Sequence, residues 1–261
     1  MIDEVYCVNI KKRPDRLEKF KKNQEHKLTS KGLKVQYTTD WDMNKDAEDI
    51  TPEWLSENNI TVYNNWALKK EAWFETARWR WWNRHLTNGE VGCAVSHSEV
   101  WKQAKGYTLI LEDDVELTRN WYVKVYNALD TLKVIDKKWD LLYVGRVEQS
   151  DKEKTLNLIS SNMRKPNYSF CTYSYMLSPR GLEKINKYKY RENIIPSDEF
   201  LNATFMEHPR DDIKLIYSPT LRAYAMWPDA AWHDISMGSD TGSKELSTPG
   251  SYVVNEKKGR K

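Results

Sequence analysis

The sequence predicts an α/β fold: one domain built on a largely parallel central sheet, with helices on both faces. Three observations predict it. Short apolar runs alternate with amphipathic helical stretches along the chain. Neither an internal repeat nor a low-complexity linker interrupts the 261 residues, a length that one large domain fills while burying a real core. The apolar run 107–111 ends directly on Glu112-Asp113-Asp114, which places three acids at the carboxyl edge of the sheet, where open α/β folds bind ligands. The domain is taken as residues 1–250, followed by a basic, disordered tail over 251–261.

Residues 5–10 form a short apolar run that ends at Lys11-Lys12-Arg13-Pro14, the pattern of a buried strand followed by a turn. A helix follows, with Leu17, Phe20 and Leu28 on one side and lysines on the other. Residues 35–38 suit a second strand. From 40 to 88 the pattern is irregular and Trp-rich, an excursion with short helices expected near 52–57 and 67–82; long loops inside a compact domain are usually functional or mobile. Residues 95–105 read as a helix, and 107–111 as the strand that meets the acids. Trp121, Val125, Ala128, Leu129, Leu132 and Ile135 recur at helical spacing. The run 141–144 reads as a strand ending at Gly145. Ser178-Pro179 has the form of an N-cap with proline in the first helical position, opening a helix through Tyr188. Ser197 is expected to cap a further helix through Glu207.

Net charge is +3, from 41 basic and 38 acidic residues. A dedicated nucleic-acid binder carries a larger and more clustered excess, so no nucleic-acid partner is expected. The basic stretch 11–34 and the tail lysines read as solvated surface. Cys7, Cys93 and Cys171 are odd in number and far apart, a pattern of neither a disulfide framework nor a zinc knuckle. No run approaches the roughly 20 apolar residues of a transmembrane helix, and the first residues lack signal-peptide character. The chain as written is therefore expected in the cytoplasm, where the sequons at Asn59, Asn167 and Asn202 carry little meaning. The 12 Trp and 15 Tyr are first of all core material, although such richness also suits stacking on sugar rings.

Three adjacent carboxylates repel one another unless a cation or a basic group neutralises them. A hard divalent ion bridging few carboxylates and the oxygens of a nucleotide diphosphate answers that need; the plainer alternative is a solvated acidic turn. In Asn9-Ile10-Lys11-Lys12-Arg13-Pro14-Asp15-Arg16, Arg13 and Arg16 are suited to a diphosphate or a base, yet basic helix starts are common. The Gly92-Cys93-Ala94 stretch permits close helix packing, and His97 reads equally as a site residue or a core histidine. Asp198 and Glu199 have a structural explanation in the helix dipole. The chain contains no G-x-G-x-x-G, Walker loop, H-E-x-x-H or nucleophile elbow.

Taken together, five segments resemble glycosyltransferase family 25, and most of all the catalytic domain of its collagen-modifying branch. They are Val8-Asn9-Ile10 with 13–16; residues 89–97; residues 109–114; residues 139–146; and 196–201 leading to His208-Pro209, with Ser239-Asp240-Thr241 beyond. The resemblance covers nearly the whole chain apart from roughly 40–85. It implies a single GT-A-type, Rossmann-like nucleotide-sugar-binding domain, a UDP-sugar donor, Mn²⁺ and inversion at the anomeric carbon. Glu112 and Asp114 fall on the family's acidic metal motif. Asn9, Arg13, Arg16, Ser96, His97 and Asp113 are placed toward the donor, and Asp198 on the position of the catalytic acid, here a general base. The branch's Pro-Thr-His-Tyr segment is replaced by Ala225-Met226-Trp227-Pro228, and His233 is the substitute metal ligand a few residues later. The implied acceptor is hydroxylysine, or galactosyl-hydroxylysine, of a collagen-like chain, with the tryptophans of 66–82 shaping its groove. A lipopolysaccharide-type acceptor and an idle UDP-sugar or glycan-binding scaffold are the alternatives. A homodimer is compatible with the family, and a viral or microbial source fits the missing signal and missing second domain.

Overall fold

The computed structural model of the chain describes residues 2–67, 85–148 and 158–238. β1 (Glu4–Val8) leads into α1 (Pro14–Phe20), which passes through one π-helical turn into α2 (His26–Thr29). β2 (Val35–Tyr37) then pairs parallel to β1. After α3 (Pro52–Glu57) come α4 (Asn88–Gln103), β3 (Thr108–Glu112), β4 (Val115–Leu117), α5 (Trp121–Ile135) and β5 (Leu141–Glu148). β6 (Leu158–Ser160), β7 (Met163–Arg164) and β8 (Ser169–Leu177) precede α6 (Pro179–Lys187), α7 (Ser197–Phe205) and α8 (Asp211–Ile216). β9 (Ala223–Met226) and β10 (Ala231–His233) close the described fold.

Eight strands form one sheet in the order β2-β1-β3-β8-β5-β9-β7-β6. Six share a direction, and β8 and β7 run against them. The sheet is thus mostly parallel, with an antiparallel strand at its centre that the sequence reading lacked. Alternate residues of each strand feed two cores. Tyr6, Val8, Ile110 and Tyr143 pack under α4, α6 and α7 on one face. Val5, Cys7, Leu109, Leu111, Leu142 and Val144 pack against α5 and the α1–α2 segment on the other. Strands covered on both faces need apolar residues at every position, which is why these runs are continuous rather than alternating.

Three boundaries differ from expectation for physical reasons. α4 begins at Asn88 because Thr87 and Glu90 close a capping box, each side chain bonding the other's backbone N–H. β5 runs on through Gly145, where a Cβ would meet the Ala231 carbonyl oxygen at 2.2 Å; this glycine permits close approach and ends nothing. α7 stops at Phe205 and Ser197 makes no capping bond, the N-cap position being Pro196. The helix expected at 67–82, Ser239-Asp240-Thr241 and the tail lie outside the described residues. The sequon residue Asn202 is a core group bonded to the backbone of Ser169. No helix among the described residues is long and apolar enough to cross a membrane.

Candidate active site

The register of β1 and β3 sets Val8 opposite Glu112, so the chain leaving β1 and the acids leaving β3 emerge side by side. A two-stranded ribbon pairs Val115 of β4 with His233 of β10, and the Asp234 N–H donates to the Asp114 carbonyl at 2.7 Å. α7 starts beside the first residues of β8. These four elements surround a cavity of about 580 Å³, whose walls include Asn9, Arg16, Ser96, Glu112, Asp113, Asp114, Asp198 and His233. Eight of the ten expected site residues therefore meet in one place.

Asn9 is a hub. Its amide donates to Asp113 Oδ2 at 2.6 Å and its amide oxygen accepts from Thr39. Its carbonyl accepts from Asn44, whose own oxygen takes the Ser96 hydroxyl at 2.7 Å. Ser96 thus secures the loop that carries Lys45, another wall residue. Arg16, buried, donates to Asp113 Oδ1 at 2.9 Å and lies 3.4 Å from Asp114 Oδ2. Burial raises Asp113, while Arg16 and Asn9 pull it back.

Two residues differ from expectation. Arg13 is absent from the cavity wall, its guanidinium held by Asp15 at 2.8 Å and by the Met237 carbonyl at 3.0 Å. His97 is fully buried behind Glu112. Trp101 Nε1 donates to the Tyr175 oxygen at 2.8 Å, and that hydroxyl lies 2.9 Å from His97 Nδ1. The network assigns the Tyr175 proton to Nδ1, so His97 Nε2–H donates to Glu112 Oε1 across 3.2 Å. The Thr172 hydroxyl donates to the same oxygen at 2.5 Å. Burial alone would raise Glu112, but these two donors and the Arg16 charge outweigh it and hold the carboxyl below its ordinary value.

Asp114 contrasts with it. Burial, then the neighbouring Glu112 charge, push it up to about 7. Its Oδ1 is buried with no hydrogen-bond partner. An orphaned carboxylate oxygen is the kind of hard donor a divalent cation takes, and Glu112 and His233 stand in the same wall. A tighter cluster, Cys93, His97 and Glu112, has ligand atoms within 4.8 Å of one another. Both His97 nitrogens are already engaged there, and burial pushes the Cys93 thiol well up. That trio is better satisfied by its own hydrogen bonds than by a metal.

Asp198 opens α7. Its Oδ2 accepts the Cys171 N–H at 3.1 Å and its Oδ1 the Glu199 N–H at 2.9 Å. Burial first, then Glu199, raise it to about 7. Glu199 points the other way into the core, where Tyr168 and His208 donate to one oxygen, the latter at 2.6 Å. The spacing from Asp198-Glu199 to His208 is thereby explained. Thr172, Cys171, Asn44 and Lys45 were missed: nothing in their local sequence marks them, because their partners are distant in the chain.

An α/β sheet with acids at its carboxyl edge, a cationic residue behind them and a separate raised carboxyl is an arrangement suited to group transfer. Residues 2–201 match the family model described as Glycosyltransferase family 25 (LPS biosynthesis protein), and the chain belongs to this family. It is 27% identical over 233 residues to procollagen galactosyltransferase 2 of Homo sapiens, covering 87% of this chain and 34% of that protein. It is 26% identical over 226 residues to inactive glycosyltransferase 25 family member 3 of Homo sapiens, covering 83% and 34%. The chain thus spans about a third of the length of these curated relatives. Among solved structures, the apo-form glycosyltransferase GlyE of Streptococcus pneumoniae TIGR4 aligns at a TM-score of 0.32 with 12% identity, over 84% of this chain and 45% of that one. So distant a likeness carries no weight for the site.

Proposed function

We propose that this chain is a metal-dependent, inverting glycosyltransferase of GT-A type that moves a hexose from a UDP-sugar to hydroxylysine, or galactosyl-hydroxylysine, of a collagen-like chain. Galactose is the first choice of sugar and glucose the second. The observation that carries the reading is the meeting of Glu112, Asp114, His233 and Asp198 around one cavity. Asp114, Glu112 and His233 would hold the cation, with Mn²⁺ as the candidate, and when bound it neutralises charge on the departing diphosphate. Arg16 and Asn9 fix Asp113 and shape the wall on the donor side. Asp198 accepts the proton of the acceptor hydroxyl as that oxygen bonds to the anomeric carbon. The bond from that carbon to the diphosphate oxygen breaks, its electron pair leaving with UDP. Attack opposite the leaving group inverts the centre.

The test offers UDP-galactose and UDP-glucose in turn to hydroxylated collagen, before and after removal of its sugars, with Mn²⁺ present. Sugar transfer with UDP release supports the reading. Thermal stabilisation by UDP and Mn²⁺ without release would move the protein to the idle binders, a reading favoured by the 26% identity to an inactive relative. Transfer to a lipopolysaccharide core alone would move it to the family's other branch.

A further inference from the structure

One stretch of β8 touches three of the groups that the proposed reaction uses, Asp198, Glu112 and His233. Between the pairs Gly145↔Ser174 and Val147↔Phe170, β5 advances two residues while β8 advances four. Residues 171–173 therefore bulge from the ladder, and the pairing of β8 with β3 also stops at Ser174. Cys171 has φ +67°, left-handed backbone that a non-glycine residue occupies only when its surroundings impose it. That conformation accompanies a Cys171 N–H aimed at Asp198 Oδ2, 3.1 Å away. The next residue gives the Thr172 hydroxyl to Glu112 Oε1 at 2.5 Å. The third, Tyr173, lays its ring against His233, with centroids 5.1 Å apart at 34°. Bulges beside a site commonly re-aim groups in this way.

We infer that residues 171–173 are positioning residues, a single bulge that sets the spacing between the base and the cation end of the cavity. This rests on the function proposed above and adds the part of the fold that makes it work. The chain reaches Asp198 through α7, Glu112 through β3 and His233 through β10. A bulge contacting all three fixes their separation without touching the reacting atoms. Thr172 has a sharper role within it. Its donated proton, with that of His97, occupies Glu112 Oε1 and so orients the carboxylate, leaving Oε2 for a cation.

The test measures Mn²⁺ binding by isothermal titration, and turnover, on the folded chain carrying Thr172→Val, Thr172→Ser, Cys171→Gly or Cys171→Val. Losing an orienting hydrogen bond to a metal ligand typically weakens metal affinity about 10- to 100-fold. Thr172→Val should therefore bind Mn²⁺ at least roughly 10-fold more weakly, and Thr172→Ser, which restores the hydroxyl, should return to near wild type. Cys171→Gly keeps the N–H and relieves the left-handed backbone, so it should retain more turnover than Cys171→Val. Cys171→Val adds β-branching at positive φ and should lower turnover roughly 10-fold, with Mn²⁺ affinity kept. A packing role for these side chains predicts the reverse order at Cys171, since glycine leaves a void that valine fills. Mn²⁺ affinity equal in Thr172→Val and wild type, or Cys171→Gly worse than Cys171→Val, overturns the inference. Wild type that neither binds Mn²⁺ nor releases UDP overturns the functional reading itself, and this inference with it. Should Thr172→Val melt far below wild type, Thr172→Ala against Thr172→Ser makes the same comparison.

Discussion

Asp114 and Asp198 face the same cavity, and burial raises both to about 7. Their surroundings nevertheless point to opposite chemistry. Asp114 sits beside a second carboxylate that stays ionised, has one oxygen without a partner, and finds Arg16 only at 3.4 Å. Asp198 has both oxygens bonded to backbone N–H groups of Cys171 and Glu199. The first needs a positive charge to be comfortable as an anion; the second is already oriented and needs only a proton or its removal. A shared proton affinity thus says little until the partners are named, and carboxyls tuned in different environments are how one site divides its roles.

The largest expected effect tests the Asp114 half. Excess EDTA should abolish UDP release, and Asp114→Asn should do so in the presence of Mn²⁺ while leaving the fold intact by circular dichroism. The fold should survive because Asp114 lies at the sheet edge, after β3 has ended. Full turnover in EDTA would remove the basis for separating the two acids.

Next comes the Asp198 half. Asp198→Asn should lower turnover by about 10² to 10⁴, the usual worth of a general base, with Mn²⁺ and UDP affinity unchanged. The amide keeps one acceptor oxygen and loses the basicity, but it turns its NH₂ toward one of the two backbone N–H groups that donate to the carboxylate. Thermal-shift titrations with UDP and Mn²⁺ alongside the rate measurement separate the two; loss of binding in this variant would make Asp198 part of the donor site.

How far these assignments could be read from the chain differs between the halves in the same way. The acids after β3 were legible because an apolar run that stops on three charges fits a strand reaching an edge. Asp198 was legible through the family pattern alone, since an acid in a first helical turn needs no catalytic reason. His97 and Arg13 show the limit of pattern: both accompany the site in sequence, yet one supports Glu112 from the core and the other closes on Asp15 and Met237. β8 was not legible at all. Ser169–Leu177 is buried along most of its length with polar and apolar residues mixed, so neither period 2 nor a uniform run marks it. Its bulge depends on β5 and β3, distant neighbours that no local window contains. The sequence pattern places the start of α4 too late, at 95, because the apolar positions become regular only there, whereas the Thr87–Glu90 capping box opens the helix at Asn88.

A smaller effect concerns pH. With Asp198 raised to about 7, turnover at saturating Mn²⁺ should climb as pH rises through that value, following loss of the Asp198 proton. The slope should disappear in the residual activity of Asp198→Asn. A pH-independent wild-type rate between 6 and 8 would contradict a titrating base there.

The smallest effect is on stability, and its sign separates a base from a helix-stabilising acid. The ordinary value of 3.8 is raised to about 7 in the fold, so folding disfavours the charged form of Asp198. Below about pH 4 the group is protonated folded or unfolded and costs nothing. As pH rises from about 4 to about 7 the unfolded chain releases a proton that the folded chain retains, and stability falls; above that window the loss is constant. Asp198→Asn has no such pH-dependent cost, so without metal its stability relative to wild type should rise between about pH 4 and pH 8. Each tenfold change in proton affinity corresponds to about 1.4 kcal/mol. The carboxyl is partly open to the cavity and its water, so the gain should be nearer roughly 1–2 kcal/mol than the full value, a few degrees in melting temperature for a chain of this size. Were Asp198 only an anion at a helix start, the same substitution would cost about 0.3–1 kcal/mol at pH 8, the opposite sign. Asp229, also raised to about 7 by burial but absent from the cavity wall, provides the control. It gives both proteins the same downward trend with pH, and only the difference between them reports on Asp198.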